Sequence, residues 1–122
     1  MNQSQPKVAI VILANAESLE GMGRVANALV LAKELKESGA TSRVIFDGAG
    51  SQWIGVLSNT EHPLHGLFGA VRDRITGACG YCTHAFRQDA QVSAAEVSLL
   101  DEFDGHPSIA KLVREGFQIV TY

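Results

Sequence analysis

The chain has 122 residues, of which 46% are hydrophobic and 19% charged, a composition typical of one soluble domain with a single core. Its formal net charge is −3 and its basic residues are scattered, which argues against a nucleic-acid-binding surface. Two cysteines are too few for a disulfide framework, so the composition predicts a cytoplasmic protein.

The first predicted strand follows a polar start. Residues 1–6 are polar and end in a proline, so we expect a disordered N-terminus and a folded domain over 7–122. Residues 8–13 are apolar without alternation, as in a central strand of a parallel sheet. Lys7 and the small residues that follow the run imitate a signal peptide, but cleavage would delete this strand. No segment approaches the length of a membrane span, so we expect no membrane partner.

Helical and strand patterns alternate through the rest of the chain. The predicted elements are a helix over 22–38, a strand over 42–46, helical turns over 52–57, a helix starting at Pro63, a strand over 75–79, a helix over 82–88, a strand over 97–100, a helix over 108–115 and a strand over 117–122. The segment 75–79 contains residues of poor strand propensity, but the alternation requires a strand there. The pattern predicts a single-domain α/β three-layer sandwich with a mostly parallel five-stranded sheet, similar to flavodoxin.

Four loops follow the carboxyl ends of the predicted strands, where open α/β sheets bind ligands. The residues that these loops bring toward one another are Asp47, Trp53, Cys79, Cys82, Asp104 and His106. Asp47-Gly48 and Asp104-Gly105 also suit ordinary turns. His84 is two residues from Cys82, so the two side chains do not share a helix face.

Cys79 and Cys82 are the only cysteines and lie three residues apart, between a predicted strand and a predicted helix. The positive end of a helix dipole favours a thiolate, and the spacing allows a disulfide, a shared sulfur or metal ligation. The structural alternative is that both are small buried apolar residues.

Several cysteine chemistries are disfavoured. Haem attachment requires a histidine directly after Cys82, where Thr83 stands. A zinc site using His62 and His65 is disfavoured because Pro63 and an amphipathic stripe account for those residues, and we assign no metal or other cofactor. The Cys-Gly-Tyr-Cys string is similar to a thioredoxin motif, but it comes late in the chain and lacks a suitable proline.

The whole arrangement resembles the DsrE-like superfamily. The resemblance rests on the apolar first strand, the segment Arg24-Val25-Ala26-Asn27-Ala28-Leu29-Val30-Leu31-Ala32, the string Asp47-Gly48-Ala49-Gly50, a cysteine ending the third strand, and the closing Gln118-Ile119-Val120-Thr121-Tyr122. Members have a flavodoxin-like fold, are often oligomeric and include sulfur-relay proteins that carry a persulfide on a cysteine in the loop after a central strand. By position, that cysteine corresponds to Cys79.

This resemblance implies a persulfide carrier or thiol-redox protein in which Cys79 accepts sulfur and Cys82 resolves the adduct. The residues expected to support the crevice are Asp47, Trp53, His84, Asp104 and His106. We expect a sulfur-donor or acceptor protein as partner, and a homo-oligomer formed through an apolar stripe. The stripe comprises Leu64, Leu67, Phe68 and Val71, with Trp53 and Leu57 nearby. The alternative is a non-enzymatic module that binds a small ligand or nucleotide and uses its cysteines for packing.

Overall fold

Five parallel strands form the centre of the computed structural model, which describes residues 5–122. The strands are β1 (Lys7–Ile12), β2 (Thr41–Phe46), β3 (Ile75–Cys79), β4 (Leu99–Leu100) and β5 (Gln118–Thr121). Their spatial order is β4-β3-β2-β1-β5, and every neighbouring pair is parallel. The predicted fold class, a single-domain flavodoxin-like α/β sandwich, is confirmed, and the sheet is entirely parallel.

Six α-helices connect the strands. They are α1 (Leu19–Glu37), α2 (Trp53–Ser58), α3 (His65–Ala70), α4 (Gly80–Ala85), α5 (Asp89–Ala94) and α6 (Ile109–Arg114). α1 begins where the Ser18 hydroxyl accepts a hydrogen bond from the Gly21 N–H, and it ends before Gly39, whose φ of +79° suits glycine. No helix within residues 5–122 has the length and apolar character needed to cross a membrane.

The strand order decides which face each helix covers. The chain moves outward in one direction from β1 through β2 and β3 to β4, so right-handed crossovers place the intervening helices on one face. The larger core lies there, between the sheet and residues such as Leu29, Ile54 and Val92. The chain then returns across the sheet to β5, and α6 packs on the opposite face through Leu112. Because β4 is parallel to β3, the loop between β4 and α6 starts at the same carboxyl edge of the sheet.

Strand β3, whose sequence has low strand propensity, is confirmed at its predicted position. Close packing against the neighbouring segment explains its glycine. A Cβ placed on Gly77 would lie 2.5 Å from the Ser98 carbonyl oxygen and 2.8 Å from the Leu100 side chain. Glycine is therefore required where β4 approaches β3, despite its low strand propensity.

Other boundaries differ from the predictions. The helix expected to start at Pro63 begins instead at His65, because the Leu64 N–H donates to His62 Nδ1 in a preceding turn. It ends at Ala70, and α5 was not predicted. Of the predicted disordered start, residues 1–4 lie outside the described residues, and the Pro6 carbonyl accepts a hydrogen bond from the Thr41 N–H.

The apolar stripe assigned to an oligomer interface belongs to the core of the same chain. Trp53, Leu57, Phe68 and Val71 are all buried, and Leu64 and Leu67 are partly buried against them. The stripe therefore gives no support to an interface, and the homo-oligomer that the family resemblance also implies stays a prediction.

Gly50 tests the packing that supports the loop after β2. A Cβ there would lie 1.9 Å from the Ile12 carbonyl oxygen, so we expect Gly50→Ala to reduce the free energy of unfolding by about 1–3 kcal/mol. Gly23→Ala is the control, because nothing lies within 4 Å of its Cβ position in α1, and alanine there should stabilise by about 0.5–1 kcal/mol. Urea unfolding of both variants measures the difference. Equal midpoints would contradict the close approach.

Candidate functional site

Three adjacent strands deliver four polar or sulfur-bearing side chains to one place at the carboxyl edge of the sheet. Asp47 directly follows β2, Cys79 ends β3, Cys82 lies in the first turn of α4, and His106 belongs to the loop after β4. One carboxylate oxygen, two Sγ atoms and one ring nitrogen all lie within 4.8 Å of one another. The predicted convergence of these four residues is thus present in the structure, and we call them the thiol cluster.

Cys79 occupies the junction between β3 and α4. Cys79 is fully buried and is the N-cap residue of α4. In this role its Sγ accepts a hydrogen bond from the Cys82 N–H at 3.3 Å. The same Sγ lies 3.2 Å from His106 Nδ1 and 3.9 Å from the Gly105 carbonyl oxygen. A protonated thiol can donate to the Gly105 carbonyl oxygen or, in the tautomer whose Nδ1 carries no proton, to His106, so this geometry suits the neutral form of Cys79.

Cys82 pairs with the carboxylate on the other side of the thiol cluster. Its Sγ donates to Asp47 Oδ1 across 3.4 Å, and the same oxygen accepts a hydrogen bond from the Gly48 N–H at 2.8 Å. Cys82 is only partly buried, in contrast to Cys79. We therefore expect Cys82 to be the more accessible of the two thiols to a reagent in solution.

A tight turn places the histidine. Asp104 and Gly105 have φ values of +49° and +83°, and Phe103 and His106 exchange two backbone hydrogen bonds of 2.9 and 2.8 Å. Positive φ at both central residues is the type I′ geometry that Asp-Gly favours. The predicted turn is confirmed, and its role in the site is to direct His106 back toward Cys79.

Tyr81 holds this turn against α4, a role that sequence analysis missed. Its N–H donates to the Gly105 carbonyl oxygen at 2.8 Å, and its ring lies over the His106 ring with centroids 4.8 Å apart. Its position between the two cysteines is the only sequence signal that could have indicated this role.

The remaining predicted site residues lie outside the thiol cluster. Trp53 is a core residue whose Nε1 donates to the Ala14 carbonyl oxygen, and its ring packs on His62. His84 is exposed beside Asp89, 3.6 Å from its carboxylate. Asp104 serves the turn through its backbone conformation. His65, considered with His62 as a zinc ligand, directs Nδ1 to the Leu57 carbonyl oxygen at 2.8 Å.

The acidity of Cys79 differs from the expectation of a thiolate stabilised by a helix. Burial raises the pKa of the Cys79 thiol from 9.0 to about 12, while the hydrogen bond from the Cys82 N–H lowers it by less. The Cys82 thiol and the negative charge of Asp47 raise this pKa further. The expected lowering of the pKa is therefore wrong for Cys79, because loss of hydration outweighs one N–H donor at the start of a short helix.

Comparison with known proteins supports the fold and leaves the activity open. No family model matches the chain. It is 28% identical over 115 residues to Uncharacterized protein MJ0733 of Methanocaldococcus jannaschii, and the match covers 93% of each protein. The solved structure of the conserved protein of unknown function BT1422 from Bacteroides thetaiotaomicron is similar, with a TM-score of 0.62, 15% identity, and coverage of 93% of this chain and 94% of that chain. That likeness shows the fold alone, and neither name specifies a function.

The burial difference predicts the order in which the thiols are alkylated. With iodoacetamide near neutral pH, we expect Cys82 to be modified first in the folded chain and Cys79 to be modified at a rate at least about 10-fold lower. Peptide mass spectrometry over a time course measures both rates in one sample. Denatured protein is the control, in which the two rates should converge; equal rates in the folded chain would contradict the burial of Cys79.

The raised pKa of Cys79 predicts a loss of stability at high pH. Above pH 9.0 an unfolded chain gives up the Cys79 proton, whereas the folded chain keeps it until about pH 12. The folded state therefore binds more protons over this interval, and the free energy of unfolding should fall as the pH rises through it. Cys79→Ala should show a smaller slope of the free energy of unfolding against pH, because it lacks this thiol. Parallel curves from urea unfolding would contradict the shift.

Proposed function

We propose that this chain is a DsrE-like carrier of sulfane sulfur that works through the Cys79–Cys82 pair. The observation that supports the proposal is the thiol cluster itself, where two thiols, a histidine ring nitrogen and a carboxylate oxygen lie within 4.8 Å of one another. A thiol pair supplies an accepting and a resolving sulfur, and the histidine and carboxylate supply acceptors for their protons.

Burial favours Cys82 as the entry thiol, although the family resemblance implies Cys79. Cys82 is partly exposed and its Sγ lies 3.4 Å from Asp47 Oδ1, which accepts the thiol hydrogen bond. In the loading step the Cys82 thiolate attacks the outer sulfur of a donor persulfide. The new S–S bond forms on Cys82, the donor S–S bond breaks, and the donor leaves as a thiolate, with no net oxidation.

Cys79 provides the resolving step from the buried side. His106 Nδ1, 3.2 Å from Cys79 Sγ, accepts the Cys79 proton, and the resulting thiolate attacks Cys82 Sγ. A Cys79–Cys82 disulfide forms, the bond between Cys82 and the carried sulfur breaks, and that sulfur leaves as hydrosulfide. A dithiol reductant would then restore both thiols. Direct transfer to the thiolate of an acceptor protein would bypass this disulfide.

The test is the intact mass of the metal-free chain after incubation with glutathione persulfide. We expect Cys79→Ser to retain one added sulfur on Cys82 that reductant removes, because the resolving thiol is absent. Cys82→Ser should gain no sulfur, because serine does not ionise near neutral pH and Cys79 is buried. The wild-type chain should lose two hydrogens and release hydrosulfide. His84→Gln should behave as the wild-type chain does, because that side chain is exposed outside the thiol cluster.

Three outcomes would change the proposal. A stable adduct in Cys82→Ser but not in Cys79→Ser would reverse the two roles. Identical behaviour of both variants would refute a division of roles. Absence of any adduct on the native chain and on both variants would refute the sulfur carrier and favour a ligand-binding module with packing cysteines.

A further inference from the structure

The thiol cluster has the composition and dimensions of a closed site for a soft metal ion. Zinc takes four tetrahedral ligands with Zn–S bonds of about 2.3 Å and Zn–N or Zn–O bonds of about 2.0–2.1 Å, which puts neighbouring ligand atoms about 3.5 Å apart. Here Cys79 Sγ and His106 Nδ1 are 3.2 Å apart, and Cys82 Sγ and Asp47 Oδ1 are 3.4 Å apart. The other separations are no greater than 4.8 Å.

We propose that Asp47, Cys79, Cys82 and His106 bind one Zn²⁺ ion in a tetrahedral site. This ligand set differs from the one considered in the sequence, because His62 and His65 are engaged elsewhere, with Trp53 and with the Leu57 carbonyl. Within residues 5–122, the thiol cluster is the one place where histidine, cysteine and carboxylate side chains bring three or more ligand atoms close enough together to hold a metal ion. The proposal goes beyond sulfur transfer and does not depend on it.

Backbone hydrogen bonds already orient two of the four ligands. The Cys82 N–H donates to Cys79 Sγ at 3.3 Å, and the Gly48 N–H donates to Asp47 Oδ1 at 2.8 Å. Such outer contacts fix ligand orientation and stabilise the charge on a metal-bound thiolate or carboxylate. The Tyr81 ring over His106 restricts the imidazole in the same way.

The charges and donor atoms of the four ligands favour one class of metal ion. Two thiolates and one carboxylate would carry three negative charges in a largely buried space, and a divalent cation neutralises two of them. Thiolate and imidazole ligands favour Zn²⁺ over Mg²⁺ or Ca²⁺, which prefer sets of oxygen ligands. Four protein ligands leave no position for water, so the ion would protect the thiols rather than activate a nucleophile. A chain that holds the ion cannot load sulfur on Cys82.

Cobalt(II) titration of the reduced, full-length chain is the direct test. We expect one Co²⁺ per chain, with the intense visible bands of tetrahedral geometry and a thiolate charge-transfer band, both abolished by stoichiometric Zn²⁺. His106→Ala and Asp47→Asn should each weaken Co²⁺ binding at least about 10-fold, because each removes one ligand. The matched controls are His84→Ala and Asp89→Asn, whose side chains are exposed outside the thiol cluster, and they should bind as the wild-type chain does.

Folding is measured in the same variants. Far-ultraviolet circular dichroism reports whether each variant folds without metal, and Zn²⁺ should raise the melting temperature of the wild-type chain more than that of His106→Ala. An octahedral cobalt spectrum, or equal affinity in His106→Ala and His84→Ala, would overturn the metal site. Sulfur loading without a tetrahedral cobalt spectrum refutes the metal site alone. A tetrahedral spectrum refutes the carrier alone if metal-free Cys79→Ser gains no sulfur and the metal-free wild-type chain releases no hydrosulfide.

Discussion

The hydrogen bond from the Cys82 N–H to Cys79 Sγ is the interaction on which the candidate site depends. It ends β3 and begins α4 at one residue, because Cys79 is both the last residue of the strand and the N-cap of the helix. The turn of helix that follows carries Cys82 over the carboxyl edge of the sheet, beside Asp47.

Burial has opposite effects on the two chemistries proposed for this place. It raises the pKa of the Cys79 thiol, which makes that sulfur a slow nucleophile near neutral pH and suits a resolving role that begins only after Cys82 is loaded. For a bound metal ion the same burial excludes competing water and strengthens the attraction between cation and thiolate. Binding of a metal ion at the thiol cluster would therefore displace the protons of the same two sulfur atoms.

Contacts between separate segments explain why the four side chains of the thiol cluster meet. Local turn preferences would explain the conformation around several of these residues individually. The type I′ turn at Asp104-Gly105 has a local cause, but the Tyr81 N–H binds its Gly105 carbonyl and so fixes the turn to α4. On the other side of the thiol cluster, Gly50 allows the loop after β2 to pass close against the Ile12 backbone. A backbone hydrogen bond thus joins the loops after β3 and β4, and the Ser51 hydroxyl joins the loop after β2 to the Cys82 carbonyl oxygen across 3.5 Å.

The sequence by itself determined the alternation of helices and strands, the parallel sheet and the edge at which a site would lie, because hydrophobic periodicity and turn residues act locally. It also indicated Asp47, Cys79, Cys82 and His106, since parallel strands place their carboxyl ends together. Only the tertiary structure decided that Trp53 and the stripe through Phe68 are core and that His84 points away. Strand order, the return of α6 across the sheet and the burial of Cys79 depend on contacts between distant segments. A pattern of neighbouring residues cannot encode the distance between Cys79 Sγ and His106 Nδ1 or the water lost around that thiol.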